Sequence, residues 1–444
     1  MEKKITRGQF LTSSLGITFL TSTNLLGNSL DSLQDPYREA FETNEKIKAA
    51  YNLAIKSLNP TKSQLERGLE LHKNSLVFDS YGFQPRAAID PNVLITARDS
   101  KASQIELRDL NEEMTMTRYV TDEKEQKEFK IAWEASGVTC VFQNAGEEGN
   151  EIERLLKRLA RFTYVTDMMK DFVVKAATPD DIERAKHEEK HALYFSGNGV
   201  PIPQDWVAVE EELSFIRIFY QLGIRMMHLT YNRRNMIGDG CGEPANAGLS
   251  DFGRAVIKEM NQVGVIVDIA HSGWQTSLEA AQLSEKPMVA SHSTATSIHE
   301  HIRSKPDEVI KAIADTDGYI GICCIPRFLG GAGDITAMMK HIDYIAKKFG
   351  PNHVAIGTDQ AYTSQYVTEE TGKVISSISS RYRTRWGALW PDDPYQEKPH
   401  MHQSMLWTNW PLFTVGLVQL GYSDEDIQKI IGGNVMRVAR AVLN

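Results

Sequence analysis

Two histidines in the second half of the chain have the spacing of a metal-binding pair. His271 and His292 lie 21 positions apart, each at or near the end of a short apolar run. That spacing fits one strand–helix unit, which would place both imidazoles over the same end of a parallel sheet. A carboxylate from a later run, Asp359, would complete a set able to hold a metal ion with one position open for water.

Further polar side chains follow the other apolar runs. Asp79 and Tyr81 end the first run, Asn198 follows the third, and Tyr231 ends the fourth. Carboxylate and amide groups can hold a polar substrate, and a tyrosine hydroxyl can donate a hydrogen bond to an oxyanion. Arg303 follows the sixth run, where its planar guanidinium suits a substrate carboxylate. A surface arginine is equally compatible with that position.

The elements that must position these groups are eight apolar runs that alternate with helical patterns. Continuous apolar runs are typical of strands buried on both faces, as in a parallel sheet. We therefore predict the α/β class and a (β/α)₈ TIM-type barrel, in which the carboxyl ends of the strands form the active site. A doubly wound open sheet is the alternative, but no Gly-x-Gly-x-x-Gly motif follows the first strand. The predicted strands are 75–81, 138–144, 191–197, 224–231, 265–271, 287–293, 318–325 and 353–359.

The barrel is predicted to occupy residues 75–444, with additions at both ends. Residues 31–74 are predicted to be an N-terminal helical segment. An insertion at 361–405 follows the eighth strand, and its arginines and aromatic residues suit either a lid over the barrel mouth or a surface excursion. Residues 1–30 start with basic residues and continue with an apolar run at 10–26, which is typical of an export signal.

This apolar run is too short and too rich in Ser and Thr for a stable transmembrane anchor. We expect an exported protein, periplasmic or otherwise extracytoplasmic, although an uncleaved tail is the alternative. The formal net charge of −9 over 444 residues argues against a nucleic-acid partner, because phosphate contacts need a clustered basic surface. Four cysteines are too few for a disulfide framework in a chain of this length.

The chain from about residue 224 to 359 resembles the membrane (renal) dipeptidase family of zinc metallopeptidases. With a weaker match before residue 224, the resemblance spans most of residues 76–442. The matching stretches keep the order and spacing of the family: LTYN at 229–232, GLSDFG at 248–253, VDIAHS at 267–272, SHS at 291–293, IR at 302–303, IGTD at 356–359 and GGNVMR at 432–437.

The resemblance implies a barrel whose two zinc ions activate a bridging water that cuts a dipeptide. His271 and His292 match the two histidines that bind one ion. Asp359 matches the aspartate that handles protons near the metals, and Arg303 matches the arginine that holds the substrate carboxylate. Since the family often forms dimers, a homodimer is expected.

Several family positions carry other residues in this chain. The first-strand motif His-x-Asp is replaced by Tyr81 and Phe83, the bridging glutamate falls at Asn198, and the histidine of Leu-Thr-His becomes Tyr231. Phenylalanine cannot bind a metal, and an amide does not replace the charge of a carboxylate. We therefore predict that the two-zinc centre is not intact. One zinc ion on His271, His292 and a third oxygen ligand remains possible, and so does a site without metal.

Two hypotheses about function follow. The first is an exported metallohydrolase of dipeptides or related small amide compounds, with Asp359 as the base and Tyr81 or Tyr231 as the oxyanion donor. Arg303, Asn198 and Asp79 would then bind the substrate. The second is a barrel that kept the fold and lost the hydrolysis, with a small-molecule binding role or a chemistry in which carboxylates and tyrosines form an acid–base set.

Overall fold

The computed structural model describes residues 35–146, 152–369, 371–373 and 391–443. Ten parallel strands are found in this part of the chain. Their bounds are β1 Phe78–Gly82, β2 Cys140–Gly146, β3 Val173–Lys175, β4 His191–Gly197, β5 Ile224–His228, β6 Ile266–Asp268, β7 Val289–Ala295, β8 Ser304–Lys305, β9 Tyr319–Ile322 and β10 Val354–Ile356.

Eight of these strands form the barrel, in the order β1-β2-β4-β5-β6-β7-β9-β10. Backbone hydrogen bonds join the first strand to the chain that follows the last one: Asp359 N donates to Tyr81 O at 3.0 Å, and Phe83 N donates to Gln360 O at 3.2 Å. The predicted TIM-type barrel is therefore confirmed, and each predicted run overlaps one barrel strand, although β1, β2 and β7 extend one or two residues beyond the predicted ends. The short strands β3 and β8, which pair with β4 and β7, are additions that the sequence pattern does not predict.

Helices cover the outside of the barrel. Their bounds are α1 Asp35–Thr43, α2 Glu45–Leu58, α3 Lys62–Asn74, α4 Pro91–Asp99, α5 Gln104–Thr117, α6 Glu123–Ser136, α7 Ile152–Met168, α8 Pro179–His187, α9 Val209–Gln221, α10 Asp251–Val263, α11 Trp274–Leu283, α12 Asp307–Asp315, α13 Pro326–Leu329, α14 Ile335–Phe349, α15 Pro399–Ser404, α16 Trp410–Gln419, α17 Asp424–Gln428 and α18 Asn434–Val442. Within the described ranges, no helix has the length and apolar character needed to span a membrane.

N-cap residues mark the first turns of two helices that follow barrel strands. Ser250 caps α10, because its side chain accepts a hydrogen bond from the Gly253 N–H at 2.9 Å. Asp334 caps α14 by accepting from the N–H groups of Thr336 and Ala337. These caps satisfy amides that a helix start leaves without partners, and they fix where the chain turns from strand to helix.

Three helices, α1 to α3, form the described part of the predicted N-terminal helical segment. They pack on the barrel's outer layer: α3 lies so close to α16 that a Cβ at Gly68 would stand 2.6 Å from the Val415 side chain. The buried His72 of α3 contacts Thr414 Oγ1 at 2.8 Å and Ser136 O at 2.9 Å. The predicted export segment lies outside the described residues, and the predicted insertion at 361–405 is described only in part.

Candidate metal centre and active site

Three buried histidines meet at the carboxyl ends of three consecutive barrel strands. His228 is the last residue of β5, His271 follows β6, and His292 lies in β7. One ring nitrogen of each lies within 4.8 Å of the others, and His271 Nε2 is 2.9 Å from His292 Nε2. The structure thus brings together the predicted pair and adds a third histidine.

The sequence pattern does not single out His228. The fourth strand is predicted to run to Tyr231, which would leave His228 inside the strand and Tyr231 at its end. Instead β5 ends at His228, and the backbone turns four residues later at Asn232, where φ is +62°. Asparagine tolerates this left-handed conformation better than most residues, and it would have been the local signal for the earlier end of the strand.

Each histidine of the cluster has a polar neighbour at one of its ring nitrogens. His228 Nε2 is 2.8 Å from Asp268 Oδ2. His292 Nδ1 is 2.9 Å from Ser291 Oγ, and His271 Nδ1 is 2.6 Å from the side-chain oxygen of Asn232. Contacts of this kind fix the orientation of a metal-binding imidazole and select its tautomer.

Asp268 holds a negative charge behind two of these histidines. Its Oδ1 accepts the N–H groups of Ala270 at 2.9 Å and Ser291 at 3.0 Å, and its Oδ2 accepts the Ser291 hydroxyl. Burial opposes ionisation, but the nearby His228 and the Ser291 donors outweigh it, so that the pKa of Asp268 lies below its usual value. The carboxylate is therefore ionised at neutral pH.

The histidine pair itself is uncharged at neutral pH. Burial, and then the positive charge of Arg303, lower the pKa of His271 and of His292 well below the ordinary value. Neutral imidazole is the form that binds a metal ion.

Two tyrosine rings enclose the pair. Tyr81 stacks on His292 with ring centroids 3.9 Å apart, and Tyr231 stacks on His271 at 4.1 Å. The Tyr81 hydroxyl donates a hydrogen bond to the side-chain oxygen of Asn198. Burial, and then the charge of Asp359, raise the pKa of Tyr81 well above its usual value, so the hydroxyl keeps its proton.

Two buried cations lie behind the histidines. Arg303 donates to the carbonyls of Ala270 at 3.3 Å and His292 at 3.2 Å, and Lys305 Nζ donates to Ser272 O at 2.8 Å. Burial lowers the pKa of Lys305 to about 7. Within the described residues, no carboxylate lies at ion-pair distance from either cation, so this side of the mouth favours an anionic group on a bound molecule.

The two predicted aspartates have different surroundings. Asp359 is half-buried after β10, has φ of +53°, and acts electrostatically on Tyr81. Asp79 is fully buried and accepts from Thr358 N at 2.9 Å, Thr358 Oγ1 at 2.6 Å and Trp407 Nε1 at 3.1 Å. Burial raises its pKa to about 7 against these hydrogen bonds. Such contacts fit a group that ties β1 to the end of β10, and substrate binding by Asp79 stays a prediction.

The positions that would serve a second ion carry no histidine and no carboxylate. Phe83 stands where the family motif has an aspartate, and its ring packs against Arg86, with the guanidinium 4.6 Å from the ring centroid. Asn198, at the bridging position, offers an amide that is already engaged by Tyr81. The described residues therefore fit one ion at the histidine cluster and do not fit the two-ion centre.

Comparisons with known proteins identify the family of this chain. A model of the membrane dipeptidase family (peptidase family M19) matches residues 65–374. The dipeptidase tcpJ of Claviceps purpurea is 25% identical over 283 residues, 63% of this chain and 57% of that protein. An uncharacterized dipeptidase of Schizosaccharomyces pombe, C3A11.10c, is 35% identical over 152 residues, 33% of this chain and 37% of that protein.

The matched regions thus span less than two thirds of either relative's length. Among solved structures, an amidohydrolase from Pseudomonas aeruginosa superposes with a TM-score of 0.62 at 23% identity, covering 84% of this chain and 98% of that one. This likeness supports the barrel fold. Because the family model matches well over half of the sequence, the chain belongs to the membrane dipeptidase family, peptidase family M19.

Proposed function

We propose that this protein is a dipeptidase-type metallohydrolase that cleaves dipeptides or related small amide compounds at the mouth of its barrel. The observation that carries the proposal is the neutral, buried pair His271 and His292, whose Nε2 atoms lie 2.9 Å apart at the carboxyl ends of adjacent strands. The family of the chain and the dipeptidase names of its relatives support the same reaction class.

The residues present fit a single zinc ion. Two neutral imidazoles are ligands that zinc prefers, and their nitrogen separation approaches the roughly 3.3 Å expected for two ligands of a tetrahedral ion. When bound, such an ion polarises a carbonyl and makes a water molecule acidic enough to attack it near neutral pH.

The protein's own groups would do the remaining work. The Arg303 guanidinium, held by two backbone carbonyls, binds the substrate carboxylate. The Asp359 carboxylate accepts a proton from the attacking water and later returns it to the departing amine. The Tyr81 hydroxyl donates a hydrogen bond to Asn198, and Tyr231, whose ring stacks on His271, would donate a hydrogen bond to the developing oxyanion.

A binding role without hydrolysis is the second candidate. It is favoured by Phe83 and Asn198, which replace two ligands of the family's metal centre with groups that carry no charge. Under this alternative the pocket and its two buried cations would retain anionic small molecules without cleaving them.

Metal content and hydrolysis measured on the same preparation distinguish the two candidates. We expect the purified protein to release amino acids from a panel of dipeptides, to lose this activity on chelation and to regain it with Zn²⁺. A His271→Ala, His292→Ala variant should lose both metal and activity. A folded protein that binds no metal and cleaves no dipeptide would contradict the hydrolase.

Export and dimerisation complete the proposal. The basic start and the apolar run at 10–26 support export to an extracytoplasmic compartment, where small peptides would be the substrate. Cell fractionation and N-terminal sequencing of the mature protein test this. The homodimer typical of the family would be tested by sedimentation velocity.

A further inference from the structure

We propose that His228 is the third ligand of a single-ion, all-histidine site with His271 and His292, and that Asp268 is its orienting carboxylate. This inference rests on the metal dependence in the proposed function and replaces the predicted oxygen ligand with an imidazole. The hydrogen-bond partners of each ring determine which nitrogen keeps a lone pair.

His271 presents a lone pair to the cluster. Its Nδ1 faces the side-chain oxygen of Asn232, which can only accept, so Nδ1 carries the proton. Cys241 Sγ also lies 3.4 Å from this oxygen as a donor, which supports the orientation of the amide. The lone pair of the neutral ring is therefore on Nε2.

His292 presents a lone pair for a similar reason. The Ser291 hydroxyl donates its one hydrogen bond to Asp268, so towards His292 Nδ1 its oxygen can only accept. Nδ1 therefore carries the proton and Nε2 the lone pair. The two Nε2 atoms lie 2.9 Å apart, a separation at which two lone pairs repel unless a cation lies between them.

His228 supplies the third donor. Its Nε2 is 2.8 Å from the carboxylate oxygen of Asp268, and a proton on this nitrogen is favoured because a lone pair there would be repelled. The contact is close without being aligned as a directed hydrogen bond. Nδ1 has no hydrogen-bond partner among the described residues, although the side chain is only 1% exposed. A buried, unpartnered acceptor costs stability, and a metal ion would satisfy it.

The outer groups match what a histidine metal site requires. Asp268 faces His228 directly and reaches His292 through Ser291, so one carboxylate orients two ligands. Its charge also offsets part of the charge of a divalent ion. Three neutral imidazoles and an open position form a common catalytic zinc site, in which outer carboxylates orient the ligands.

Metal binding by the full-length protein tests the inference separately from activity. Protein stripped with a chelator is titrated with Zn²⁺ in competition with a chromophoric chelator. We expect one ion per chain, at least about 100-fold weaker binding in His228→Ala, and a 10–100-fold loss in Asp268→Asn. His353→Ala is the matched control, because that half-buried histidine bonds to Gly318 O before β9, at the other end of the barrel.

X-ray absorption of the zinc-loaded wild-type protein gives a second measurement that does not depend on a variant folding. Three imidazoles around one zinc would support the proposal. Two imidazoles, two ions per chain, or unchanged affinity in a folded His228→Ala variant would overturn it. A three-histidine ion in a protein that cleaves no dipeptide would keep this inference and reject the proposed hydrolase.

Discussion

The two sides of the barrel mouth differ in what they offer to a metal. The side built by β5, β6 and β7 carries three histidines, and Asp268 stands behind them. The side built by β1 and β4 carries the aromatic rings of Tyr81 and Phe83 and the amide of Asn198, and the Tyr81 hydroxyl donates a hydrogen bond to Asn198. The two sides depend on separate strands, so ligand residues can be replaced on one side while they are kept on the other.

The largest effect should come from the histidine side. We expect His292→Ala to lower dipeptide hydrolysis at least about 10³-fold, because the ion that activates water would be lost. Tyr81→Phe, the comparison on the other side, should cost less than about 10-fold, since its hydroxyl serves Asn198. Steady-state rates and metal content of both variants test this. Equal losses of activity in His292→Ala and Tyr81→Phe would show that the two sides of the barrel mouth do not differ in this way.

A second effect concerns the substrate. Arg303→Met should lower kcat/KM about 100-fold, or by about 2.7 kcal/mol, mainly through KM, because the buried guanidinium would no longer meet the substrate carboxylate. Arg303→Lys should recover little, since an ammonium lacks the planar fork. Kinetics with a dipeptide and with its C-terminal amide would check the role: the variant should lose the preference for the free carboxylate. A preference that persists would assign Arg303 to packing.

Metal-ligand residues can be put back on the side of the barrel mouth built by β1 and β4. The triple variant Tyr81→His, Phe83→Asp, Asn198→Glu puts the family's ligand types back on β1, just after β1 and after β4, and should take up a second, more weakly bound Zn²⁺ ion. Phe83→Asp alone is the control and should stay at one ion, because a single carboxylate is too few ligands. Metal analysis after equilibrium dialysis measures the stoichiometry. A triple variant that folds and still binds one ion would show that more than ligand identity was lost.

The smallest effect is on stability and depends on pH. Since the pKa of Lys305 falls to about 7 in the folded state, that state must carry a buried charge at lower pH. Wild-type stability should rise between about pH 7 and 10.5, where the unfolded chain binds more protons. Lys305→Met should add on the order of 2 kcal/mol at pH 7 and flatten that rise. Urea unfolding at several pH values measures the free energy of unfolding of both proteins. If the wild-type and Lys305→Met free energies changed with pH in parallel, the role given to Lys305 would be wrong.

The sequence predicts the barrel well and the site in part. Buried parallel strands are continuous apolar runs, so all eight could be located, and the bounds of β4 agree with the prediction. His271 and His292 follow from their spacing of one strand–helix unit. His228 and Asp268 could not be found in this way. Both lie in the middle of predicted strands, where the sequence pattern does not distinguish a site residue from an ordinary strand residue. Their role depends on contacts between strands, such as Asp268 with Ser291, that no local pattern encodes.

The stacked tyrosines have an optical consequence. Tyr81 and Tyr231 each lie flat against one of the two central histidines, at 3.9 and 4.1 Å between ring centroids. A positive ion on those imidazoles would shift the absorption of both phenol rings and alter their circular dichroism near 280 nm. The protein therefore contains its own chromophoric indicator for the occupancy of the histidine cluster, and the Tyr81→Phe variant would reveal which ring supplies the signal.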